Sequence, residues 1–305
     1  MSGERGTGER VLLFGASGFI GGHVRAALAA DPRTGAVICP GRRDHDLIDG
    51  DQRGLVQVIR DSTPTAIVSC VGRLGGTDAE LIRGNTLVAT KLLEAVAAAR
   101  PGVRLVRLGS AGEYGVVPHG QSVTEDGPTN PVAAYGISHL AGTRLFELAG
   151  ESGIVDAVSL RVFNPIGPGM SAETMLGRAA ERIRAALATG AGRITMGPLS
   201  AYRDFVDVRD LAALVPAVLR ADRLTHRVFN VGSGRAVRSR EAVRLLAEAA
   251  GYRGEIHEQG TGPRRSAAVD WIQADVSRAR EQLGWVPGHD LATSIKDIWA
   301  AGEAG

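Results

Sequence analysis

The first half of the chain alternates short apolar runs with longer stretches in which apolar residues recur at i, i+3 and i+4. The runs at 11–14, 36–39, 66–71, 103–108 and 157–162 predict strands, each rich in Val, Leu or Ile as strands covered on both faces are. The periodic stretches at 20–30, 55–61, 81–99 and 135–152 predict helices between them. This alternation is the pattern of an α/β fold, a doubly wound parallel sheet with helices on both faces. After Asn164 it weakens, and Pro165, Gly167, Pro168 and Gly169 form a turn-rich junction. Helical segments follow near 173–188, 207–221, 239–250 and 275–283, with a strand-like piece at 228–231. The expected division is a first domain over 1–163 and a smaller, mostly C-terminal α/β lobe over 164–305, with segments of roughly 201–233 returning to the first domain.

With 305 residues, 44% of them hydrophobic and 22% charged, the chain has ordinary globular composition and enough length to bury its core without staples. A formal charge of only +2, 4% aromatics and no basic run argue against a nucleic-acid partner. No window approaches the roughly 18 uninterrupted apolar residues of a spanning helix. The charged, Gly-rich first ten residues do not resemble a signal peptide. A cytoplasmic protein without a membrane partner is expected. Cys39 and Cys70 are too few for a disulfide framework or a metal cluster, and no metal site is expected. Lys91 and Lys296 are the only lysines; every other basic residue is Arg or His.

The first predicted strand runs straight into Gly15-Ala16-Ser17-Gly18-Phe19-Ile20-Gly21, which opens a helix. Glycines at this spacing allow a tight turn, close approach of backbone to a pyrophosphate and close packing of helix on strand. The phosphates would meet the unpaired N–H groups at the helix start, where the helix dipole also favours an anion. A dinucleotide cofactor is therefore expected. Where a carboxylate would hold a ribose 2′-hydroxyl, the second strand instead ends in Pro40-Gly41-Arg42-Arg43. Forked guanidinium donors suit a 2′-phosphate, which favours NADPH over NADH.

Ser110 follows the fourth predicted strand, and Tyr135-Gly-Ile-Ser-His139 opens the next long helix. Together with the glycine loop, these residues make the chain resemble the extended short-chain dehydrogenase/reductase superfamily, the NAD-dependent epimerase/dehydratase type. Within it, the chain resembles the GDP-4-keto-6-deoxy-mannose reductases and related nucleotide-sugar 4-ketoreductases. The carrying segments are Gly109-Ser-Ala-Gly-Glu-Tyr-Gly115, Val123-Thr-Glu-Asp126, Arg161-Val-Phe-Asn-Pro-Ile-Gly-Pro-Gly169, Arg203-Asp-Phe-Val-Asp-Val-Arg-Asp210 and Asn230-Val-Gly-Ser-Gly234. The resemblance implies a Rossmann-type first domain, a substrate-binding second lobe and a homodimer formed through the helices at 81–99 and 135–152.

It also implies the chemistry. Reducing a ketone needs hydride on carbon and a proton on oxygen. A tyrosine serves as the acid when neighbouring positive charge lowers its pKa from about 10 toward the working pH, and a serine hydroxyl steadies the carbonyl oxygen. By the resemblance Tyr135 is that acid and Ser110 that donor. His139 stands where the superfamily has the lysine that holds the nicotinamide ribose and supplies the cation. An imidazole, with a reference pKa near 6.5, carries little charge at neutral pH. The outcomes left open are a working enzyme with altered pH dependence, one with another proton source, and a cofactor-binding protein without turnover.

The resemblance further assigns Pro165 and Ile166 to the nicotinamide amide and Asp46-Leu47 to the adenine, although Asp46 could equally start a helix. Ser110, Glu113, Asn164, Arg203 and Arg265 are the expected substrate contacts, the two arginines gripping a diphosphate. Ser266, Ala267 and Ala268 depart from the superfamily pattern beside Arg265, which keeps a non-sugar substrate, such as an aromatic polyketide of secondary metabolism, open. Ala111-Gly112 replaces the Asp-Glu pair of the sugar dehydratases. Arginine at the end of the second strand speaks against a galactose-type epimerase. The expected activity is NADPH-dependent reduction of the carbonyl of a nucleoside-diphosphate 4-keto-6-deoxyhexose.

Overall fold

The computed structural model describes residues 8–262 and 268–302. The predicted apolar runs become β1 (Glu9–Phe14), β2 (Thr34–Ile38), β3 (Ala66–Ser69), β4 (Arg104–Ser110) and β5 (Asp156–Val162), all parallel, in the order β2-β1-β3-β4-β5. The chain then leaves for β6 (Asn164–Ile166), β7 (Arg193–Met196) and β8 (Tyr202–Asp207). It returns as β9 (Val228–Val231), parallel to β5 at the edge of the main sheet, and leaves again for β10 (Ala236–Arg238) and β11 (Glu255–Glu258). The sheet is Rossmann-like and doubly wound.

Period-two side-chain alternation divides each central strand between two cores. Val11 and Leu13 of β1 pack with Val24 and Leu28 of α1 (Phe19–Ala30), while Leu12 and Phe14 pack with Leu55 and Ile59 of α2 (Gln52–Ser62). On the first face lies also α7 (Val208–Arg220), through Leu211, Val215 and Val218. The second face carries α4 (Val88–Ala99) and α5 (Ala134–Glu151), through Leu92, Val96 and Phe146. A strand apolar on both sides can only sit inside such a sandwich, so the sequence pattern and the layer order are one fact.

The smaller lobe has its own core. α6 (Met175–Thr189), α8 (Ser239–Ala249) and α10 (Leu291–Ala301) bring Ile183, Leu246, Ile298 and Trp299 together. They pack beside the three-stranded sheet β10-β8-β6 and the parallel pair β11-β7. The short helix α9 (Ser277–Leu283) packs beside β9. No helix of the described residues is long and apolar enough to cross a membrane.

One predicted helix is not continuous. The stretch at 81–99 divides into α3 (Asp78–Leu81), a π-helical turn at Ile82–Leu87, and α4. Asn85 is the cause. Its side chain is buried, accepting from the Arg73 N–H (2.7 Å) and donating to the Arg73 carbonyl (3.2 Å) and Ser138 Oγ (3.0 Å). Widening the helix by one residue lets this polar side chain face inward with partners for its amide.

Candidate active site

The main sheet reverses direction of winding between β1 and β3, and the crevice at the carboxyl ends of such strands is where doubly wound sheets bind ligands. β1 ends there in the glycine loop. A Cβ on Gly21 would stand 1.9 Å from the Gly15 carbonyl oxygen, so only glycine lets α1 pack this tightly on the loop. Gly15 itself takes a positive φ of 79°. α1 begins at Phe19 with no side-chain cap and no acidic residue in its first turn. Its orphan N–H groups and dipole fit the pyrophosphate of a dinucleotide. Ser17 and Gly18 are exposed at its mouth, Phe19 and Ile20 half-buried. His23 Nε2 lies 3.0 Å from the Pro168 carbonyl oxygen, tying α1 to the segment that carries Pro165 and Ile166. The Ile166 side chain is buried in the lobe core, so only its backbone is left for a ligand.

Beyond β2, a cavity of about 270 Å³ is lined by Arg42, Asp46, Ile48, Asp49, Arg73, Glu80 and Arg83. Arg42 thus meets two further arginines, Arg73 and Arg83, that sequence reading did not single out. Arg43 is exposed outside this lining. Asp46 caps a turn: Oδ1 accepts from the N–H groups of Ile48 (2.8 Å) and Asp49 (3.2 Å), which holds its carboxyl below the usual range. The Leu47 side chain is core, at 5% exposed, and leaves only backbone for an adenine. Lys91 Nζ donates to the carbonyls of Ile48 (2.8 Å) and Gly50 (2.9 Å), which occupies its charge in holding this loop.

Ser110 is the last residue of β4, and its Oγ accepts from the Gly112 N–H at 3.1 Å. Tyr135 lies in the first turn of α5. A Cβ on Gly136 would stand 2.2 Å from the Gly112 carbonyl oxygen; its absence lets α5 start against the turn that follows β4. A Cβ placed on Gly112 would lie 3.3 Å from the Tyr135 ring and 3.4 Å from Ser110 Oγ, so hydroxyl and phenol ring flank one turn. One helical turn on, the His139 ring lies edge-to-face with that of Tyr135, centroids 4.7 Å apart. His139 is buried. Desolvation, and then the charge of Arg107, take its pKa down to about 3, so the imidazole is neutral.

Glu113 does not face a substrate. Its carboxylate is wholly enclosed, pairing with Arg161 Nε (2.7 Å) through one oxygen and accepting from the Ser110 N–H (3.0 Å) and Thr143 Oγ1 (2.9 Å) through the other. A charge with every partner inside the protein is a fixed part of the scaffold, and here it positions the Ser110 backbone. Asn164 begins β6 and donates to the Asp204 carbonyl oxygen at 3.0 Å. Arg203 lies on the neighbouring strand β8, half-buried, donating to the Tyr202 carbonyl oxygen at 2.8 Å. Burial lowers its pKa against the raising charge of Asp270. Arg265 lies outside the described residues.

Sequence reading missed Asn85, Arg107, Thr143 and Arg161 as parts of the site. Arg107 and Arg161 left a signal, a charge in the middle of a largely apolar strand.

Comparison with known proteins agrees with this fold. The model of the NAD dependent epimerase/dehydratase family matches residues 11–232. The dTDP-6-deoxy-L-talose 4-dehydrogenase (NAD(P)(+)) of Kitasatospora kifunensis is 36% identical, covering 96% of this chain and 95% of that protein. The GDP-6-deoxy-D-mannose reductase of Pseudomonas aeruginosa is 29% identical, covering 95% of this chain and 96% of its own. The solved structure of RMD from Pseudomonas aeruginosa complexed with NADPH has a TM-score of 0.84 at 26% identity, covering 97% of this chain and 98% of that one.

Proposed function

Because the chain belongs to the NAD dependent epimerase/dehydratase family, we propose that it is an NADPH-dependent 4-ketoreductase acting on a dTDP-linked 4-keto-6-deoxyhexose. The observation that carries this reading is Ser110 and Tyr135 flanking one turn at the head of the main sheet, beside the uncapped start of α1. When bound in that crevice, the reduced nicotinamide supplies the hydride that goes to the carbonyl carbon. Tyr135 delivers its phenolic proton to the carbonyl oxygen, and Ser110 Oγ–H donates to that oxygen as charge develops. Asn164 and Arg203 supply polar and cationic contacts for the diphosphate from adjacent strands. The preference for dTDP and for the 4-position rests on the resemblance to the talose 4-dehydrogenase.

The preference for NADPH is supported by three arginines, Arg42, Arg73 and Arg83, around one cavity at the far end of β2. Arg83 pairs with Asp49 at 2.6 Å, and Arg73 with Glu80 at 3.4 Å, both partly exposed pairs that a phosphate would outcompete. The proposed assembly is a homodimer through the helical face that bears Leu87, Ile137 and Leu148, each 47–64% exposed.

The test is NADPH oxidation by the purified protein with dTDP- and GDP-linked 4-keto-6-deoxyhexoses. Turnover with the dTDP sugar is expected, and Arg42→Ser is expected to raise the KM for NADPH about tenfold, roughly 1.4 kcal/mol, while leaving that for NADH unchanged. An enzyme that oxidises NADPH with none of these sugars sinks the assignment.

A further inference from the structure

Arg107 sits in the middle of β4 on the face shared with Leu105, where the pattern calls for an apolar residue, and only 5% of it is exposed. Burying a guanidinium is costly unless its donors are met. Here they are met by neutral groups. Nη1 donates to Thr143 Oγ1 (2.9 Å), to Ser159 Oγ (3.1 Å) and toward the His139 carbonyl oxygen (3.4 Å). Nη2 lies 3.5 Å from His139 Nδ1. The space for the guanidinium comes from Gly142 on α5, where a Cβ would stand 2.9 Å from Nη2 and 3.0 Å from Cζ. The Phe146 ring, one turn further, lies 5.5 Å from Cζ.

The carboxylate in this network, Glu113, reaches Arg107 only through Thr143, and it is already paired with Arg161. Two buried guanidiniums therefore share one carboxylate, and a net positive charge remains behind His139 and Tyr135. A guanidinium is only a donor. His139 Nδ1 must then be the acceptor, which leaves the imidazole proton on Nε2. We propose that Arg107 is a positioning residue for the reaction: it holds His139 as the neutral Nε2–H tautomer beside Tyr135 and supplies from below the positive charge that a lysine at position 139 would have brought. This rests on Tyr135 being the proton donor, as argued above.

The ionisable groups facing this cluster leave the charge in place. From β5 comes Arg161, a second cation; from the turn after β4 comes Glu113; from α5 come Tyr135 and His139. Cys70, with its thiol pushed up to about 12 by burial, packs into the core on the opposite face of the sheet. Lys91 of α4 is held by the carbonyls of the 47–50 loop, and Glu125 faces the Asn230 N–H and Arg278. Burial lowers the Arg107 pKa to about 10, against the raising charges of Glu113 and then of the Tyr135 phenolate; the coupling to Tyr135 is reciprocal, so the cation favours the phenolate.

Two measurements on the NADP-bound protein test this without relying on any sugar substrate. In 15N NMR of the histidine rings, with the His139 signals assigned by their loss in His139→Gln, Nε2 is expected to carry the proton and Nδ1 none, unchanged from about pH 8 to about pH 5. A proton on Nδ1 overturns the proposal. In an ultraviolet titration of phenol ionisation, with Tyr135→Phe isolating the Tyr135 signal, Arg107→Gln is expected to raise the Tyr135 midpoint by about one pH unit. Adding His139→Lys to Arg107→Gln is expected to bring the midpoint back down. An unmoved midpoint in folded Arg107→Gln overturns the proposal, and if that variant does not fold the NMR result on the wild type decides. Failure with every keto sugar alongside these spectroscopic results would remove the substrate assignment and leave the role of Arg107 standing.

Discussion

At the scale of single residues, His139 shows how burial converts a familiar substitution into different chemistry. An exposed histidine at this position would titrate near pH 6.5 and charge in mildly acidic solution. Enclosed on α5 and faced by Arg107, it takes up no second ring proton until about pH 3. The folded state therefore binds fewer protons here than the unfolded chain does. The sign follows directly: stability is full above the unfolded pKa, near 6.5, and falls as the pH drops from there toward the folded value. Each pH unit within that window costs about 1.4 kcal/mol. Replacing the imidazole by a group that does not titrate, as in His139→Gln, is expected to flatten this part of the curve of unfolding free energy against pH. Denaturant titrations at a series of pH values check this; identical slopes for both proteins would show that His139 is not the group responsible. Arg107 was legible in the sequence only as an anomaly, a charge within an apolar run. Nothing in the linear order says that Gly142, from the next helix, is what makes room for it.

At the scale of elements, the motif segments owe their mutual arrangement to hydrogen bonds between them. Asp204 of β8 accepts from the N–H groups of Ser233 (2.6 Å), Gly234 (3.0 Å) and Ala274 (3.0 Å), which fixes the loop after β9 to the small sheet. Asn230 of β9 donates to the carbonyls of Val123 (2.9 Å) and Asp275 (3.1 Å), and its Oδ1 accepts from the Tyr114 hydroxyl at 2.6 Å. Residues that read in the sequence as separate signatures are thus partners in one buried network, and much of what they specify is shape. The start of α5 depends on a different device, the close approach of Gly136 to the Gly112 carbonyl oxygen. Gly136→Ala forces these backbones apart, with an expected loss of about 1–3 kcal/mol in stability from overpacking. Because Tyr135 moves with the helix start while the glycine loop does not, kcat is expected to fall far more than NADPH affinity. Equal losses in both would mean that the variant disturbs the whole fold rather than the spacing of Ser110 and Tyr135.

At the scale of the whole molecule, the lobe core adjoins the main sheet at the carboxyl ends of its strands, where β5 passes into β6. The glycine loop ends β1 there, the His23–Pro168 contact ties α1 to the segment after β6, and Asn164 and Arg203 lie on the adjacent strands β6 and β8. The proposed dimer face lies elsewhere, on the π-helical turn that leads into α4 and on α5. Ile137 and Leu148 stand about three turns apart on one side of α5, both at least half exposed. Ile137→Glu with Leu148→Arg is expected to convert a dimer in light scattering to a monomer that still binds NADPH; a wild-type protein that is monomeric at all concentrations ends the proposal. By itself the sequence determined the α/β class, the order of the first five strands with their helices, the glycine loop, and the positions of Ser110 and Tyr135. These are properties of local periodicity and turn chemistry, which short stretches of chain carry on their own. It did not determine that β6, β8 and β10 are strands, for segments of three to six residues with polar sides leave no periodic trace. Nor did it decide that Glu113 is scaffold, that Asn85 widens a helix, or that Arg107 stands behind His139. Those depend on which distant groups share a buried space, and burial decides there which charges are paired, which are neutral and which remain.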